Sequence, residues 1–452
     1  MTIATQTIFD HLPFTATREQ ANALYQLEEF TAPDYTDDVF VLCGAAGTGK
    51  TSLVKAVVDH LEAQQIRYYL TAPTGRAAKV LSRKTNALAH TAHHVLYTPQ
   101  TLADGRVLLT RKPVTAEPYS VYVVDEASMI SDRNRTDGSF VAAKSLLFDL
   151  LDHIKQSNPR NKVILIGDRY QLAPVGEEFS PALEPGYLER TYRMSVRSAH
   201  LTEVKRQDNG SPILTMATDI RRRSDAGLAL NRLDVPRLSS YSAGVTRYLN
   251  LYRPGNPDYV IMIGSSNNVV NNFNEIIRKR LGFAGSVLAI GDQVVINENW
   301  SDGTRLLMKG DTGRVVELDP TTEKRAALTF QRAVLAFTEP SGEPFTVTTC
   351  VLLDTLTSER GDIDPEDMKN LKAERMAKNA TYRQTERAYA DPYMGAMRLR
   401  YGHALTCHKA QGGEWIHVML HPYQRPNDYR YAYTAVTRAR ETVVSWEPGW
   451  SN

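Results

Sequence analysis

The sequence contains few cysteines. Cys43, Cys350 and Cys407 are the three among 452 residues, and they lie far apart along the chain. They form no C-x-x-C pair, and their odd number argues against a disulfide framework or a structural zinc site. This pattern is typical of a protein from a reducing compartment.

Long apolar runs are also absent. The longest, such as residues 163–166, have the length of a strand, whereas a membrane-spanning helix needs ~20 apolar residues. Residues 1–14 contain no Lys or Arg and no apolar stretch typical of a secretion signal. We therefore expect a soluble cytoplasmic protein without a membrane partner, in the host cytoplasm if a phage encodes it.

The chain has almost no excess charge. It contains 53 Lys+Arg and 51 Asp+Glu, which leaves a net charge of +2. This balance excludes a protein that binds nucleic acid through bulk positive charge, but it is compatible with a local basic groove. A composition with 42% hydrophobic and 23% charged residues excludes a disordered tail or a fibre. The length predicts roughly two to four domains.

Short apolar runs alternate with helix-length segments over the first 200 residues. Continuous apolar runs of this kind suit parallel strands that are buried on both faces. The predicted strands are 39–43, 68–72, 121–124 and 162–166, and the predicted helices between them include 52–64 and 139–156. This rhythm is typical of a doubly wound α/β domain.

The α/β rhythm resumes later and is interrupted by a β-rich block. A strand is predicted at 259–263 and a helix at 267–281. Residues 290–356 contain short β-rich runs separated by Gly, Asp and Pro, which is typical of a small antiparallel barrel or sandwich. A charged helical stretch follows at 363–390, and the α/β pattern returns at 399–420. The block is therefore predicted to be an insertion in a second α/β domain.

A phosphate-binding loop follows the first predicted strand and precedes a predicted helix. Its sequence matches G-x-x-x-x-G-K-[ST], in which backbone N–H groups and the helix N-terminus surround phosphate oxygens. Lys50 is expected to neutralise the β- and γ-phosphates, and the Thr51 hydroxyl is expected to coordinate Mg²⁺. The predicted nucleotide-binding residues here are Gly44, Ala45, Ala46, Gly47, Thr48, Gly49, Lys50, Thr51 and Ser52.

Two adjacent carboxylates, Asp125 and Glu126, follow the predicted strand 121–124. The carboxyl end of a parallel strand is where α/β sheets bind ligands. Asp125 is expected to hold Mg²⁺, and Glu126 is expected to polarise the attacking water. With the phosphate loop, this pair indicates an ATPase.

Seven further stretches complete an ordered set of motifs. They are Thr17-Arg18-Glu19-Gln20, Thr71-Ala72-Pro73-Thr74-Gly75-Arg76-Ala77-Ala78, Thr91-Ala92-His93-His94, Gly167-Asp168 with Gln171-Leu172, Leu201-Thr202-Glu203-Val204-Lys205-Arg206, Ala404-Leu405-Thr406-Cys407-His408-Lys409-Ala410-Gln411-Gly412 and Tyr433-Thr434-Ala435-Val436-Thr437-Arg438-Ala439. The whole set resembles the superfamily 1 helicases, and within them the Dda/RecD-like group that moves 5′-to-3′ on single-stranded DNA. The resemblance covers nearly the whole chain.

The resemblance implies that five more residues contact the nucleotide. Gln20 would contact the adenine base, and Gln171 would sense the γ-phosphate. Arg206 and Arg438 would reach the γ-phosphate from the second domain, where a guanidinium stabilises the charge of the transition state. Gly412 would complete the nucleotide site. An arginine taken alone is more often a surface ion-pair residue, so these roles rest on the order of the motifs.

The resemblance also implies contacts with DNA. The expected nucleic-acid-binding residues are Pro73, Thr74, Arg76, His93, Thr406, His408 and Lys409. For His93 and His408, a hydrogen bond to a phosphate is favoured over metal ligation, because neither group of neighbouring histidines offers a full ligand set.

The implied fold consists of two RecA-like P-loop NTPase domains with two small additions. A β-hairpin pin at about 96–119 is expected in the first domain, where Asp104-Gly105 is a turn dipeptide, although pattern alone is equally compatible with a surface loop. An SH3-like β-barrel is expected in the second. The predicted boundaries are 1–196 for the first domain, 197–282 and 391–452 for the second, and 283–390 for the barrel with its helical segment.

The function that follows is an ATP-dependent DNA helicase with ATP and Mg²⁺ as cofactors. Its expected partners are single-stranded and forked DNA, with single-strand-binding or replication proteins as further candidates, and it is expected to act as a monomer in replication, recombination or repair. The alternative is an ATP-driven translocase that displaces proteins from single-stranded DNA without unwinding. A regulatory module without hydrolysis is disfavoured by Glu126 and the two arginines.

Overall fold

A computed structural model describes residues 7–101, 107–134, 136–137, 140–141, 144–203, 210–339, 342–359, 361–423 and 425–448. The chain divides into two compact units. The first comprises Met1–Thr98, Leu109–Thr136 and Ala142–Arg221, and the second comprises Pro99–Leu108, Asp137–Val141 and Arg222–Asn452.

Helices and strands alternate along the first half of the chain. The elements are α1 (Arg18–Phe30), β1 (Val39–Gly44), α2 (Lys50–Ala63), β2 (Arg67–Ala72), α3 (Gly75–Thr85), β3 (Ala89–Thr91), α4 (Ala92–Leu96), β4 (Tyr97–Thr101), β5 (Val107–Arg111), β6 (Ser120–Val124), β7 (Thr136–Asp137), β8 (Phe140–Val141), α5 (Leu146–Ser157), β9 (Lys162–Gly167), α6 (Pro185–Tyr192), β10 (Val196–Leu201) and α7 (Pro212–Asp225). Short 3-10 helices lie at Ile8–His11, Ala127–Met129 and Pro181–Leu183.

A six-stranded parallel sheet forms the centre of the first unit. Its strand order is β10-β1-β9-β6-β2-β3, and every pair in it is parallel. All residues of β1, β6 and β9 are buried, as expected for apolar strands that are covered on both faces. The four strands predicted in this region are therefore confirmed, and their carboxyl ends meet at one edge.

The helix predicted at 139–156 begins later than expected. Ser145 caps α5, and its hydroxyl accepts a hydrogen bond from the Phe148 N–H at 3.0 Å, so the helix starts at Leu146. The preceding residues contribute β8 to a four-stranded sheet with the order β4-β5-β8-β7. In this sheet β4 and β5 are neighbours, as a hairpin requires, while Asp104-Gly105 lies outside the described residues.

The second half of the chain contains β11 to β22. The elements are β11 (Arg237–Leu238), α8 (Tyr241–Leu251), β12 (Val260–Gly264), α9 (Asn267–Arg280), β13 (Gln293–Ile296), β14 (Trp300–Ser301), β15 (Leu306–Leu307), β16 (Thr312–Arg325), β17 (Leu328–Thr338), β18 (Pro344–Leu352), α10 (Asp354–Thr357), α11 (Pro365–Lys378), α12 (Ala380–Thr385), β19 (Met397–Tyr401), β20 (Ala404–Thr406), α13 (Cys407–Ala410), β21 (Trp415–Leu420), α14 (Tyr429–Val436) and β22 (Ala439–Trp446), with a 3-10 turn at Ala388–Ala390.

A five-stranded parallel sheet and a closed barrel make up most of the second unit. The sheet has the order β11-β22-β21-β12-β20. The barrel closes in the order β13-β16-β17-β18-β19, as the sequence predicted for the inserted block. Because Met397 and Leu399 are fully buried in the barrel core, β19 belongs to the barrel. The predicted boundary at residue 391 therefore falls before the last barrel strand instead of after the barrel.

Among the described residues, no helix combines the length and the apolar character that a bilayer crossing requires.

A buried histidine makes the stability of the second unit sensitive to acid. The His403 side chain is fully buried, with its Nδ1 3.2 Å from the Tyr248 hydroxyl oxygen and its ring against that of Tyr252. Burial, and then the charge of Arg278, lower the pKa of His403 to about 3. The folded state therefore keeps the ring neutral, while the unfolded chain takes up a proton below about pH 6.5.

We expect the free energy of unfolding to fall by up to about 1.4 kcal/mol per pH unit as the pH drops from about 6.5 towards about 3. Urea unfolding at several pH values measures this slope. His403→Gln should flatten the slope, whereas His421→Gln, at a less buried position, should retain most of it. Equal slopes for His403→Gln and the unmodified chain would contradict the assignment.

Candidate nucleotide and nucleic-acid site

Most motifs of the first unit follow strands of one parallel sheet. The phosphate loop follows β1, Asp168 follows β9, Asp125 follows β6, Pro73 follows β2 and Ala92 follows β3. In the sheet these strands are consecutive, in the order β1-β9-β6-β2-β3. Because parallel strands end at a common edge, residues that are far apart in sequence form one continuous site.

The phosphate loop curls around the start of α2. Gly47 and Gly49 have φ angles of 80° and 83°, a left-handed conformation that glycine adopts without strain. Lys50 Nζ donates to the carbonyl oxygens of Gly44 at 2.7 Å and Ala45 at 3.0 Å. The lysine ammonium group and the N-terminus of α2 therefore lie at the same loop, which is the arrangement that a polyphosphate needs.

Gln20 is fixed against this loop. Its Oε1 accepts from the Thr17 N–H at 3.0 Å, and its Nε2 donates to the Thr48 carbonyl at 2.8 Å. A Cβ atom added at Gly49 would lie 2.6 Å from Gln20 Nε2, so a side chain there would displace the Gln20 amide as well as strain the positive φ of residue 49. Sequence reasoning missed this contact, which links the start of α1 to the phosphate loop. The adenine contact of Gln20 stays a prediction.

Glu19 anchors the chain that leaves β10. Its Oε2 accepts from the N–H groups of Thr202 at 2.5 Å and Glu203 at 2.8 Å, and its Oε1 accepts from the Thr202 hydroxyl at 2.6 Å. Although burial raises it, these hydrogen bonds hold the pKa of Glu19 below its usual value. Arg206 follows this anchored segment but lies outside the described residues. Glu19 lies within the motif Thr17-Arg18-Glu19-Gln20, but the sequence pattern predicted no role for it.

We expect Glu19→Ala to lower the free energy of unfolding of the first unit by about 1 kcal/mol, the net worth of a hydrogen bond at a partly exposed position. Glu19→Gln should lose less, because its amide oxygen still accepts one of the bonds. Urea unfolding measures both variants, and Glu189→Ala on the exposed face of α6 is the control. If the free energy of unfolding of Glu19→Ala equals that of Glu189→Ala, the hydrogen bonds of Glu19 add nothing to stability.

The carboxylates after β6 share a strained turn. Glu126 has a φ of 51°, a left-handed conformation that costs a non-glycine residue about 1–2 kcal/mol and is typical of functional sites. Its N–H donates to Asp125 Oδ1 at 2.9 Å. Burial, and then the Glu126 carboxylate, raise the pKa of Asp125 to about 6 against the opposing charge of Lys50. A divalent cation would relieve this repulsion, and carboxylate and hydroxyl oxygens are the ligands that Mg²⁺ prefers, so Asp125 and Thr51 fit Mg²⁺.

Gln171 lies on the loop after β9, between the strands of the phosphate loop and of Asp125. Its side chain is buried, and among the described residues no group donates to its Oε1. A buried amide oxygen without a donor is costly unless a ligand or a water donates to it. Its position and its free acceptor are compatible with the predicted role beside the γ-phosphate, which stays a prediction.

The predicted DNA-binding residues of the first unit follow β2 and β3. Pro73 is buried, whereas Thr74 and Arg76 are half-buried at the start of α3, where the Thr74 hydroxyl accepts from the Ala77 N–H at 3.2 Å. His93 lies in α4 with its ring centroid 5.9 Å from that of Tyr97. The structure brings these residues to the strand ends beside Asp125, and their contacts with DNA stay a prediction.

The predicted site residues of the second unit follow β20. His408 and Lys409 are exposed in α13, and Thr406 is half-buried in front of it. Gly412 follows with a φ of 71°, so a side chain there would be strained. Burial lowers the pKa of both side chains, that of Lys409 to about 8, so near neutral pH Lys409 keeps most of its charge and His408 is mainly neutral. Both still offer N–H donors for a phosphate.

Arg438 is a buried arginine held by backbone oxygens. Its side chain is 4% exposed, its Nε donates to the Thr434 carbonyl at 3.1 Å and its Nη1 to the Gly413 carbonyl at 3.2 Å. Among the described residues, no carboxylate forms an ion pair with it. A buried charge without a counter-charge is unfavourable unless an anion completes the site, which favours the predicted role at a phosphate.

Comparisons with known proteins agree with this geometry. A family model described as an AAA domain matches residues 16–235, and one described as a UvrD-like helicase C-terminal domain matches residues 401–444. The ATP-dependent RecD2 DNA helicase of Deinococcus radiodurans is 26% identical over 442 residues, which cover 94% of this chain and 48% of the relative. The ATP-dependent DNA helicase dda of Enterobacteria phage T4 is 34% identical over 187 residues, 39% of this chain and 36% of the relative.

Both relatives are DNA helicases, and one of the two family models describes a helicase domain. The resemblance expected from the sequence is thereby confirmed. A solved structure of Pif1 helicases at forked double-stranded DNA has a TM-score of 0.50 at 16% identity and covers 96% of this chain and 92% of its own, which shows a shared fold. The predicted fold of two RecA-like domains with an inserted barrel is confirmed. The chain spans about half or less of the length of the two curated relatives.

Proposed function

We propose that this chain is an ATP-dependent DNA helicase that moves 5′-to-3′ on single-stranded DNA and separates duplex DNA. One observation carries the proposal: the phosphate loop, the carboxylate pair and the DNA contacts expected in the first unit follow neighbouring strands of one sheet. The proposed nucleotide and DNA contacts of the first unit thus lie along one edge of the sheet, next to one another. The family matches support the same function.

Hydrolysis is assigned to residues of both units. Lys50 binds the β- and γ-phosphates, and Glu126 polarises the attacking water. Thr51 and Asp125 hold Mg²⁺, which offsets the negative charge of the phosphate oxygens. Gln171 senses the γ-phosphate, and Arg206, together with Arg438 of the second unit, stabilises the charge of the transition state. Gln20 and Gly412 complete the nucleotide contacts.

Movement on DNA follows from alternation between two states. ATP favours one arrangement of the chain and hydrolysis releases it, so the strand is gripped alternately by the two sets of DNA-binding residues.

We assign duplex separation to the hairpin of β4 and β5, and support of the fork to the barrel. Single-stranded and forked DNA are the proposed partners, and the chain acts as a monomer in the cytoplasm, with single-strand-binding or replication proteins as candidate partners.

Duplexes with one single-stranded tail test the proposal. With ATP and Mg²⁺, strand release from a duplex with only a 5′ tail, and none from one with only a 3′ tail, is the expected result. Strand release from the 3′-tailed duplex alone would mean that the chain moves 3′-to-5′, which contradicts the proposed direction. ATP hydrolysis stimulated by single-stranded DNA, without release from either substrate, would favour the translocase that displaces proteins without unwinding.

A further inference from the structure

A buried polar network lies at the base of the hairpin formed by β4 and β5. The hydroxyl of Tyr97, the first residue of β4, donates to Asp149 Oδ2 at 2.6 Å. Nη1 of Arg111, the last residue of β5, lies 3.9 Å from Asp149 Oδ1 and also hydrogen-bonds Asp152. Tyr97 and Asp149 are each only 4% exposed. One carboxylate on α5 therefore holds both strands of the hairpin where they leave the first unit.

A contribution to the stability of the fold does not by itself explain this network. A buried ion pair is often no more stabilising than apolar side chains of the same size, because both charges lose their hydration. Arg111 also has buried Nε and Nη2 groups without a hydrogen-bond acceptor among the described residues. What hydrogen bonds provide, and apolar packing does not, is direction. The network therefore fixes the angle at which the hairpin leaves the unit.

The helix that carries Asp149 is itself fixed to the starts of two strands of the ATPase sheet, at the edge opposite the phosphate loop. Near its end, the buried Asn161 donates from Nδ2 to the Ile154 carbonyl at 3.2 Å and accepts at Oδ1 from the Ser120 N–H at 2.8 Å. Ser120 begins β6, the strand that ends before Asp125, and Asn161 directly precedes β9, the strand that leads to Gln171. A continuous set of hydrogen bonds thus connects the ATPase strands to the hairpin base.

We propose that Asp149 is a positioning residue for strand separation. It holds the hairpin at a fixed angle to the ATPase sheet, so that each step along DNA pushes the hairpin against the fork instead of deflecting it. The inference rests on the proposed function and adds the residue that couples hydrolysis to unwinding. A hairpin that swings freely would still permit movement on single-stranded DNA but would open few base pairs.

Two variants test this role. Asp149→Asn removes the charge that holds Arg111 and keeps the size, and Tyr97→Phe removes a single hydroxyl. ATP turnover and its dependence on single-stranded DNA should be unchanged in both, while base pairs opened per ATP should fall by about tenfold in Asp149→Asn, which loses the charge that pairs with Arg111, and less in Tyr97→Phe, which loses one hydrogen bond. Asp59→Asn, which breaks a surface pair with Lys55 in the same unit, is the matched control and should keep the ratio.

The outcomes separate coupling from folding. If turnover and unwinding fall together in both variants, with a lower melting temperature, Asp149 is structural and the proposal is wrong. It is equally wrong if Asp149→Asn opens as many base pairs per ATP as the control. An unmodified chain that hydrolyses ATP on single-stranded DNA but releases no strand would reject the proposed function itself, and the inference with it, before any variant is compared.

Discussion

Replacing Lys50 with alanine is expected to abolish ATP hydrolysis and leave binding to single-stranded DNA intact. The Lys50 ammonium group lies at the phosphate loop, where it donates to two loop carbonyls. Removing one positioned donor at a site of developing charge lowers kcat by roughly 10²–10³, and the loss of a full charge at the γ-phosphate should reach the upper end or beyond.

The fold should survive this change. Lys50 is the first residue of α2, and alanine has the highest helix propensity, so the helix start is retained. Lys55→Ala on the same helix is the matched control, because it removes an ammonium group that pairs with Asp59 at the surface and does not donate to the loop carbonyls that Lys50 binds. Turnover measured with single-stranded DNA, and DNA binding by fluorescence anisotropy, decide the result. Loss of DNA binding by Lys50→Ala would mean that the fold is damaged, and normal turnover would remove Lys50 from the phosphate site.

The strands that the sequence predicts are those with continuous apolar runs. β1, β6 and β9 are buried throughout, so the pattern of their residues directly reflects their surroundings. β10 was missed because it lies at the edge of the sheet, pairs only with β1, and contains Arg197 and His200 among its residues. An edge strand does not need apolar residues on both faces, so its sequence does not differ from that of a loop.

The parts of the site that are local in sequence were predicted, and those that depend on distant contacts were not. The phosphate loop is read directly from eight consecutive residues. The contact of Gln20 with Thr48 spans 28 positions and that of Glu19 with Thr202 spans 183, and no spacing rule connects such pairs. The closure of the barrel by β19 was missed for the same reason, because a long helical segment separates β19 from β18. Topology, which sets these contacts, is not encoded in periodicity.

A second large effect is expected at Arg438. Replacing it with lysine should lower kcat by roughly 10³, with little change in the KM for ATP, because a guanidinium at the γ-phosphate acts mainly in the transition state. Lysine keeps the positive charge, but its compact ammonium group lacks the planar arrangement of N–H donors that the guanidinium of arginine has. Since Arg438 already donates to the carbonyls of Thr434 and Gly413, its fork can keep these bonds and still present a free N–H to phosphate.

Stability must be separated from catalysis at this position. Arg438→Ala leaves two buried carbonyls without a donor, which costs about 1–3 kcal/mol each, so a folding defect in that variant would be uninformative. Arg438→Lys is the decisive variant when its melting temperature stays near that of Arg440→Ala, the control at an exposed position two residues later. A well-folded Arg438→Lys with nearly normal kcat would show that Arg438 serves the packing of the second unit. A fall in kcat at unchanged KM and melting temperature places the guanidinium at the γ-phosphate, because only a group that acts in the transition state changes these quantities in that way.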